Sequence, residues 1–490
     1  MLILRRPAMQ ITITPDAMKQ LESDFMQQYG VPGALLMEHA AQALCTALTR
    51  HVSGGKVLFL CGPGNNGGDG YAAARLWTRQ GGQAVIMELS PAATGDAGMN
   101  RTLALQAGVD IITAQDKLPP CDAIVDALFG TGLARPVAGL AAQWIQEANA
   151  SGVPVIAVDI PSGLHGATGC VLGCAIRASE TVTFHRIKPG LLLGEGPAHA
   201  GKITVAPILI PADYGTQDGL RCLEPDDIPT LVPPRPVDAH KGTFGRVVIL
   251  AGSRGMAGAA AFCAAAAVKA GAGLTTVLCT QDVMPVVQLH APGATCVPLE
   301  TVDIPRLLAT ADAAIVGCGL GQSPEMLPHL EYFRAAPCPV VWDADALNLL
   351  SQHAELLPLP ASAVITPHPG EAARLLHCGT ADITARPLEA LSALRKACGC
   401  TVLLKGARTL MTDGVLTAVN RHGSPAMAKG GSGDVLAGIL GALLARKLPC
   451  STMETVQLGA LLHGLAGIRA AGLCGENCVT PFDLVNCIQH

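Results

Sequence analysis

Short, unbroken apolar runs separated by helix-length segments limit most strongly how this chain can fold. Residues 57–60, 84–87, 123–126 and 154–159 form a first series, and residues 246–250, 313–316, 339–342, 363–366 and 401–404 a second. A strand with one wet face alternates apolar and polar residues, so unbroken runs predict strands covered on both faces, in parallel sheets flanked by helices. Between the two series, residues 211–240 carry Pro225, Pro229, Pro233, Pro234 and Pro236 among several acidic residues, which reads as a linker with a short lead-in segment. A chain of 490 residues exceeds one ordinary core. Two α/β domains in tandem are therefore expected, over residues 10–215 and 225–490.

Composition narrows the function classes. Half of the residues are hydrophobic but only 3% are aromatic, as suits closely packed α/β layers. A net charge of −5 with mixed signs leaves no basic stripe, so no nucleic-acid partner is expected. Arg5 and Arg6 follow the apolar opening residues instead of preceding them, the wrong order for a secretory signal. No apolar run approaches the ~18 residues of a membrane span. A soluble, cytoplasmic protein without a membrane partner is expected, and the 18 scattered cysteines read as reduced thiols. With no paired CxxC and no HExxH, zinc is not expected.

The chemistry concentrates at glycine-rich turns. Gly430-Gly431-Ser432-Gly433-Asp434 runs straight into an apolar helical segment, so backbone N–H groups and the positive helix end face one point, a place for phosphate oxygens. The aspartate beside it suits a general base for phosphoryl transfer. A purely structural loop is the alternative. Lys405-Gly406-Ala407-Arg408-Thr409 follows a buried strand and puts amides and a hydroxyl where a nucleotide can sit. Gly317-Cys318-Gly319-Leu320-Gly321 ends another strand, and Thr366-Pro367-His368-Pro369-Gly370-Glu371 a third, with His368 open between a rigid turn and a ligand contact. Asp343 and Asp345 are open between helix capping and an indirect magnesium role. In the first domain, residues 62–70 (GPGNNGGDG), with a helix expected near Tyr71, and the segments after Asp126 and Asp159 place three oxygen-bearing turns at strand ends.

The ensemble GPGNNGGDG, VDALFGTGLARP and VDIPSGL closely resembles the NAD(P)H-hydrate epimerase domain, a Rossmann-like three-layer fold. That resemblance implies contacts to the hydrated nucleotide from Asn65, Asn66, Gly67, Gly68 and Asp69, from Gly130, Thr131, Gly132, Leu133, Ala134, Arg135 and Pro136, and from Asp159. It also implies potassium ligands at Asn66, Asp126 and Ser162. Asp126 and Asp159 are the candidate acid and base, their roles unassigned.

HKGTFG (240–245), AGSRGMAGAA, GCGLG, WDADALN, TPHPGE, LLKGA and GGSGD, in that order, resemble the ADP-dependent NAD(P)H-hydrate dehydratases of the ribokinase-like α/β superfamily. The resemblance implies nucleotide contacts at Lys405, Gly406, Ala407, Arg408, Thr409 and Gly433. It implies substrate contacts at Ala259, Gly321, His368 and Asp434, with Asp434 as base, magnesium as cofactor and ADP as phosphoryl donor. Cys318 stands where that family usually has proline, which loosens a turn and removes no chemical group. With both domains in this order, the whole chain resembles the bacterial bifunctional repair enzymes, with hydrated NADH and NADPH, ADP and AMP as partners and a homo-oligomer as the expected assembly. Two other readings compete: a vitamin-type alcohol kinase with a regulatory nucleotide-sensing first half, and a first domain that only binds.

Overall fold

The computed structural model describes residues 10–91, 94–215 and 218–489, which divide into two units, Gln10–Leu220 and a second beginning at Arg221. The first unit opens with a short strand β1 (Gln10–Ile11), followed by β2 (Lys56–Cys61), β3 (Gln83–Glu88), β4 (Asp110–Thr113), β5 (Ala123–Ala127), β6 (Val155–Val158), β7 (Glu180–Phe184) and β8 (Lys202–Ala206). The last seven form one sheet in the order β4-β3-β2-β5-β6-β7-β8, with every pairing parallel. The chain winds outward through β3 and β4, then returns to β5 on the other side of β2. This leaves a crevice beyond the carboxyl ends of β2 and β5, where open α/β sheets bind ligands. Strand β2 shows why the apolar runs are unbroken. Its Val57, Phe59 and Cys61 join one buried cluster with Leu44 and Tyr71, while Leu58 and Leu60 join a second with Trp144 and Ile145. Burying such side chains contributes about 1.5–3 kcal/mol each.

The second unit holds β9 (Arg221–Cys222), β10 (Arg246–Leu250), β11 (Leu274–Cys279), β12 (Ala294–Pro298), β13 (Ala313–Val316), β14 (Val340–Trp342), β15 (Val364–Ile365), β16 (Thr401–Leu404), β17 (Thr409–Thr412) and β18 (Thr417–Asn420). Its sheet runs β9-β18-β17-β16-β15-β14-β13-β10-β11-β12. Only the pairings of β17 with β16 and β18 are antiparallel. The winding reverses between β10 and β13, so a crevice opens beyond β13 and the strands that follow it. Helices Ala257–Lys269 and Ser432–Ala445 pack tightly across the sheet; a Cβ at Gly438 would lie 2.3 Å from the Cys263 carbonyl oxygen.

Three features differ from the sequence reading. The helix after β2 begins at Asn65, not near Tyr71. Residues 211–240 are more than a linker: they hold β9, a 3-10 turn at Pro225–Asp227 and a helix at Ile228–Leu231, with Leu223 and Leu231 packed into the second core. Helix Thr452–Cys474 is long and apolar enough to span a membrane by length and composition. It lies in the second core instead, burying Val456, Leu458, Leu461 and Leu462 among others. No disulfide joins any of the 18 cysteines.

Candidate active sites

In the first unit, glycines let the helix Asn65–Arg79 start directly against the sheet edge. A Cβ at Gly67 would fall 1.8 Å from the Gly62 carbonyl oxygen, and one at Gly62 would fall 1.9 Å from that of Leu128. Asn66 is thereby brought beside Gly130, whose Cβ position lies 3.0 Å from Asn66 Oδ1. Asp126, near the end of β5, is fully buried. Its Oδ2 accepts the Ser162 N–H at 2.7 Å, and its Oδ1 lies 2.5 Å from the Ser162 hydroxyl and 3.4 Å from the Leu128 amide nitrogen. Burial pushes its carboxyl up to about 6 against those three hydrogen bonds. The Ser162 hydroxyl also accepts the Phe129 N–H at 2.9 Å. Gly132, Ala134, Arg135 and Pro136 form an exposed rim, with Thr131 and Leu133 half-buried.

Asp159 is different. It follows β6 in a left-handed conformation, φ +62°, which aspartate adopts more readily than most non-glycine residues. Its Oδ1 accepts Lys188 Nζ at 2.5 Å, the Thr183 hydroxyl at 2.9 Å and the Phe184 N–H at 3.2 Å. Lys188 is 1% exposed and Asp159 15%, so the pair is buried with its carboxylate reaching the crevice. Glu22 belongs to the same electrostatic cluster: burial raises its carboxyl to about 7, Lys188 pulls it down and Asp159 pushes it up. Asp69 is likewise raised, by burial first and then by Asp159 and Glu22. Glu22 and Asp69 are thus both raised beside the Asp159–Lys188 pair. Lys188, Thr183 and Glu22 had escaped the sequence reading. A lysine inside the apolar stretch 187–193 was the available signal.

In the second unit, Asp434 is the third residue of helix Ser432–Ala445. Gly431, at φ +96°, turns the chain into that helix, and a Cβ there would strike Pro481 and Phe262. Lys405, immediately after β16, sends Nζ to within 2.6 Å of Asp343 Oδ1 and 3.8 Å of Glu371 Oε2. A Cβ on Gly433 would sit 3.2 Å from Lys405 Nζ. The ammonium group therefore lies beside the helix N-terminus, and the two together form an anion-attracting corner. Burial pulls the Lys405 ammonium down, but Asp343 and Glu371 outweigh it and the group is raised overall. Burial, then Asp343, pushes Asp434 up to about 6.

The remaining positions lie on loops and helix starts that follow strands of the same sheet. His368 caps helix Pro369–Leu375, its Nδ1 accepting the Gly370 and Glu371 N–H groups at 3.0 and 3.4 Å. Its Nε2 faces Glu371 at 3.3 Å. The Gly321 N–H is held by Asp345 Oδ2 at 2.9 Å, and Ala259 packs against Gly319. Asp343 is buried and bound to Lys405 and the Thr366 hydroxyl (2.7 Å), while Asp345 fixes a loop amide. Gly406 and Ala407 are exposed, with Arg408 and Thr409 half-buried beyond Lys405. One neighbour was unexpected: His463 Nε2 meets the Ser432 hydroxyl at 3.3 Å, and burial lowers its imidazole to about 4, so it stays neutral.

Two family models match the chain, YjeF-related protein N-terminus over residues 33–190 and NAD(P)H-hydrate dehydratase over residues 247–490. The bifunctional NAD(P)H-hydrate repair enzyme of Escherichia coli K12 is 37% identical over 445 residues, covering 88% of this chain and 84% of its own length. The chain belongs to the bifunctional NAD(P)H-hydrate repair enzyme family. The member from Thermofilum pendens is 34% identical over 96% of this chain and 93% of its own. A ribokinase-like superfamily protein of Enterococcus faecalis V583, solved by crystallography, superposes with a TM-score of 0.51 at 31% identity, over 55% of this chain and 94% of its own. The two halves of a repair enzyme thus correspond to a parallel Rossmann-like unit and a ribokinase-like unit.

Proposed function

We propose that the chain interconverts the R and S forms of hydrated NADH and NADPH in its first unit and dehydrates the S form in its second, at the expense of ADP. The observation that carries this reading is Asp434, held at a helix N-terminus beside Lys405. Asp434 takes the proton from the substrate's ring hydroxyl, and the amides of Gly431, Ser432 and Gly433 with the Lys405 ammonium hold the phosphoryl group as it passes from ADP. AMP departs; the ring C–O bond then breaks as phosphate leaves, the neighbouring ring carbon loses a proton to solvent, and the C=C bond of the dihydronicotinamide is restored. Ala259, Gly321 and His368 line the substrate side; Gly406, Ala407, Arg408 and Thr409 line the nucleotide side.

Magnesium, when bound, offsets nucleotide charge. The side chains around Asp434 do not fit direct coordination of this hard cation, since the Cys318 thiol shares their cluster and Asp343 is committed to Lys405 and Thr366. Magnesium therefore belongs to the nucleotide phosphates.

In the first unit we assign proton transfer to the Asp159–Lys188 pair, with Asp126 holding the site together through Ser162. The loop residues Asn65 to Asp69 and Gly130 to Pro136 embrace the hydrated nucleotide. Asp126, Ser162 and Asn66 suit a potassium ion, which when bound supplies positive charge to the crevice. Asn66 Nδ2 is buried without a hydrogen-bond partner, and turning that amide would present its oxygen to a cation. Each half is taken as a domain, over residues 10–215 and 225–490.

Incubation with mixed hydrated NADH, ADP and magnesium tests the whole reading. Full recovery of reduced-nicotinamide absorbance with equimolar AMP and phosphate is expected. A stable phosphorylated product would favour an ordinary alcohol kinase.

A further inference from the structure

Asp345 takes part in no step of the reaction outlined above. It is turned away from Asp343 by Ala344, whose φ +50° and ψ −117° lie outside the regions that a residue with a Cβ adopts at low cost. Asp343 bonds Lys405 and Thr366 on one side; Asp345 reaches the loop after β13 on the other. Its Oδ2 accepts the Gly321 N–H at 2.9 Å, and its Oδ1 accepts Gln322 Nε2 at 3.1 Å and Asn348 Nδ2, one turn along its own helix, at 3.4 Å. Asn348 Oδ1 in turn accepts Arg374 Nε at 2.8 Å. Arg374 lies near the end of helix Pro369–Leu375, whose first turn His368 caps. Its guanidinium folds back along that helix, with Nη1 3.8 Å from the Cβ position of Gly370. We propose that Asp345, Asn348 and Arg374 are positioning residues, a bridge that sets the separation of Gly321 and His368 and so shapes the hydrated-nucleotide side of the crevice.

The proposal rests on the reading of Gly321 and His368 as substrate contacts. The bridge ties together the segments that follow β13, β14 and β15, three neighbouring strands of the sheet. Asparagine suits its middle position chemically. A carboxylate only accepts and a guanidinium only donates, so the group between them must donate at one end and accept at the other. An amide does both, and these two partners fix which way it faces. Gly321, at φ +81°, has no side chain to hold its own place, so its backbone N–H is where the loop is gripped. An acid in a first helical turn is favourable by itself. That effect needs neither Gln322 nor Asn348, and it does not extend to Arg374 on a separate helix.

The test compares KM for the S hydrate at saturating ADP with KM for ADP at saturating hydrate, in Arg374→Met, Arg374→Gln, Asn348→Ala and His368→Ala. Arg374 is exposed, so its variants should fold. Arg374→Met and Asn348→Ala should each raise the hydrate KM by about 3- to 10-fold, as loss of a hydrogen bond predicts, and leave the ADP KM unchanged. Glutamine carries an N–H donor at the same point of its side chain as arginine Nε, so Arg374→Gln should return the hydrate KM to within about twofold of the parent. The double variant Asn348→Ala/Arg374→Met should be no worse than Asn348→Ala alone. A hydrate KM that does not move in Arg374→Met and Asn348→Ala, with or without a lower melting temperature, overturns the bridge. So do two KM values that rise together, or an Arg374→Gln variant as impaired as Arg374→Met, which would assign the effect to charge. If His368→Ala keeps the parental hydrate KM, the reading of His368 as a substrate contact has failed instead, and the two failures are told apart.

Discussion

Lys188 donates to Asp159 Oδ1 at 2.5 Å from a position 1% exposed, while Asp159 sits in a left-handed backbone conformation. This buried ion pair at the carboxyl end of the sheet is the one proposed above to transfer the proton. Lys188→Met keeps the apolar stem and removes the charge. Epimerisation should fall by about 10²- to 10⁴-fold, with dehydration of the S form unchanged. Equal loss of both activities would mean that the variant damages the chain as a whole.

Asp126 acts one layer below. Its carboxylate ties the Ser162 backbone and hydroxyl to the Leu128 turn, so Asp126→Ala should cripple epimerisation and weaken its potassium dependence. In a mixed substrate, only the starting fraction of S hydrate would then be consumed quickly. Disappearance of both forms at the parental rate would show Asp126 to be dispensable.

Asp434→Asn should lower dehydration by roughly 10²- to 10⁴-fold and leave nucleotide binding largely intact. It also carries a stability signature. Folding raises the Asp434 carboxyl from 3.8 to about 6, so its favourable contribution is complete below pH 3.8 and is lost as pH rises through 6. The asparagine variant should therefore gain on the parent between these values, reaching on the order of 3 kcal/mol above pH 6. Thermal unfolding at pH 4 and pH 8 checks this; a constant difference would contradict it.

Gly433→Ala would put a Cβ 3.2 Å from Lys405 Nζ, forcing the ammonium away from the helix N-terminus. Nucleotide KM should rise and kcat should fall, without loss of fold. Lys405→Met goes further, because it leaves Asp343 buried and unpaired by charge at a cost of about 3–5 kcal/mol. Circular dichroism melts beside steady-state kinetics separate the two effects.

The parallel sheets were legible because strands such as β2 and β10 are apolar on both faces. Strand β7, with the sequence ETVTF, was not: Thr181 and Thr183 are polar but fully buried, and Thr183 serves Asp159. The start of the Asn65–Arg79 helix was missed because glycine is a poor helix former, whereas close approach to Gly62 and Leu128 selects it there. Motifs at strand ends pointed to Asp126, Asp159, Lys405 and Asp434 because such ends converge. Lys188, Glu22 and His463 lie outside those motifs and reach their sites only through tertiary packing.

The division of labour between the two sites is tested most directly by chromatographic time courses that resolve the R and S hydrates, starting from pure S hydrate of NADH with ADP and magnesium. Asp434→Asn should scramble S into R at the parental rate while regenerating almost no NADH, and Lys188→Met should convert S to NADH without forming R. Rapid NADH recovery by Asp434→Asn, or its failure to form R, would contradict two independent sites with these residues at their centres.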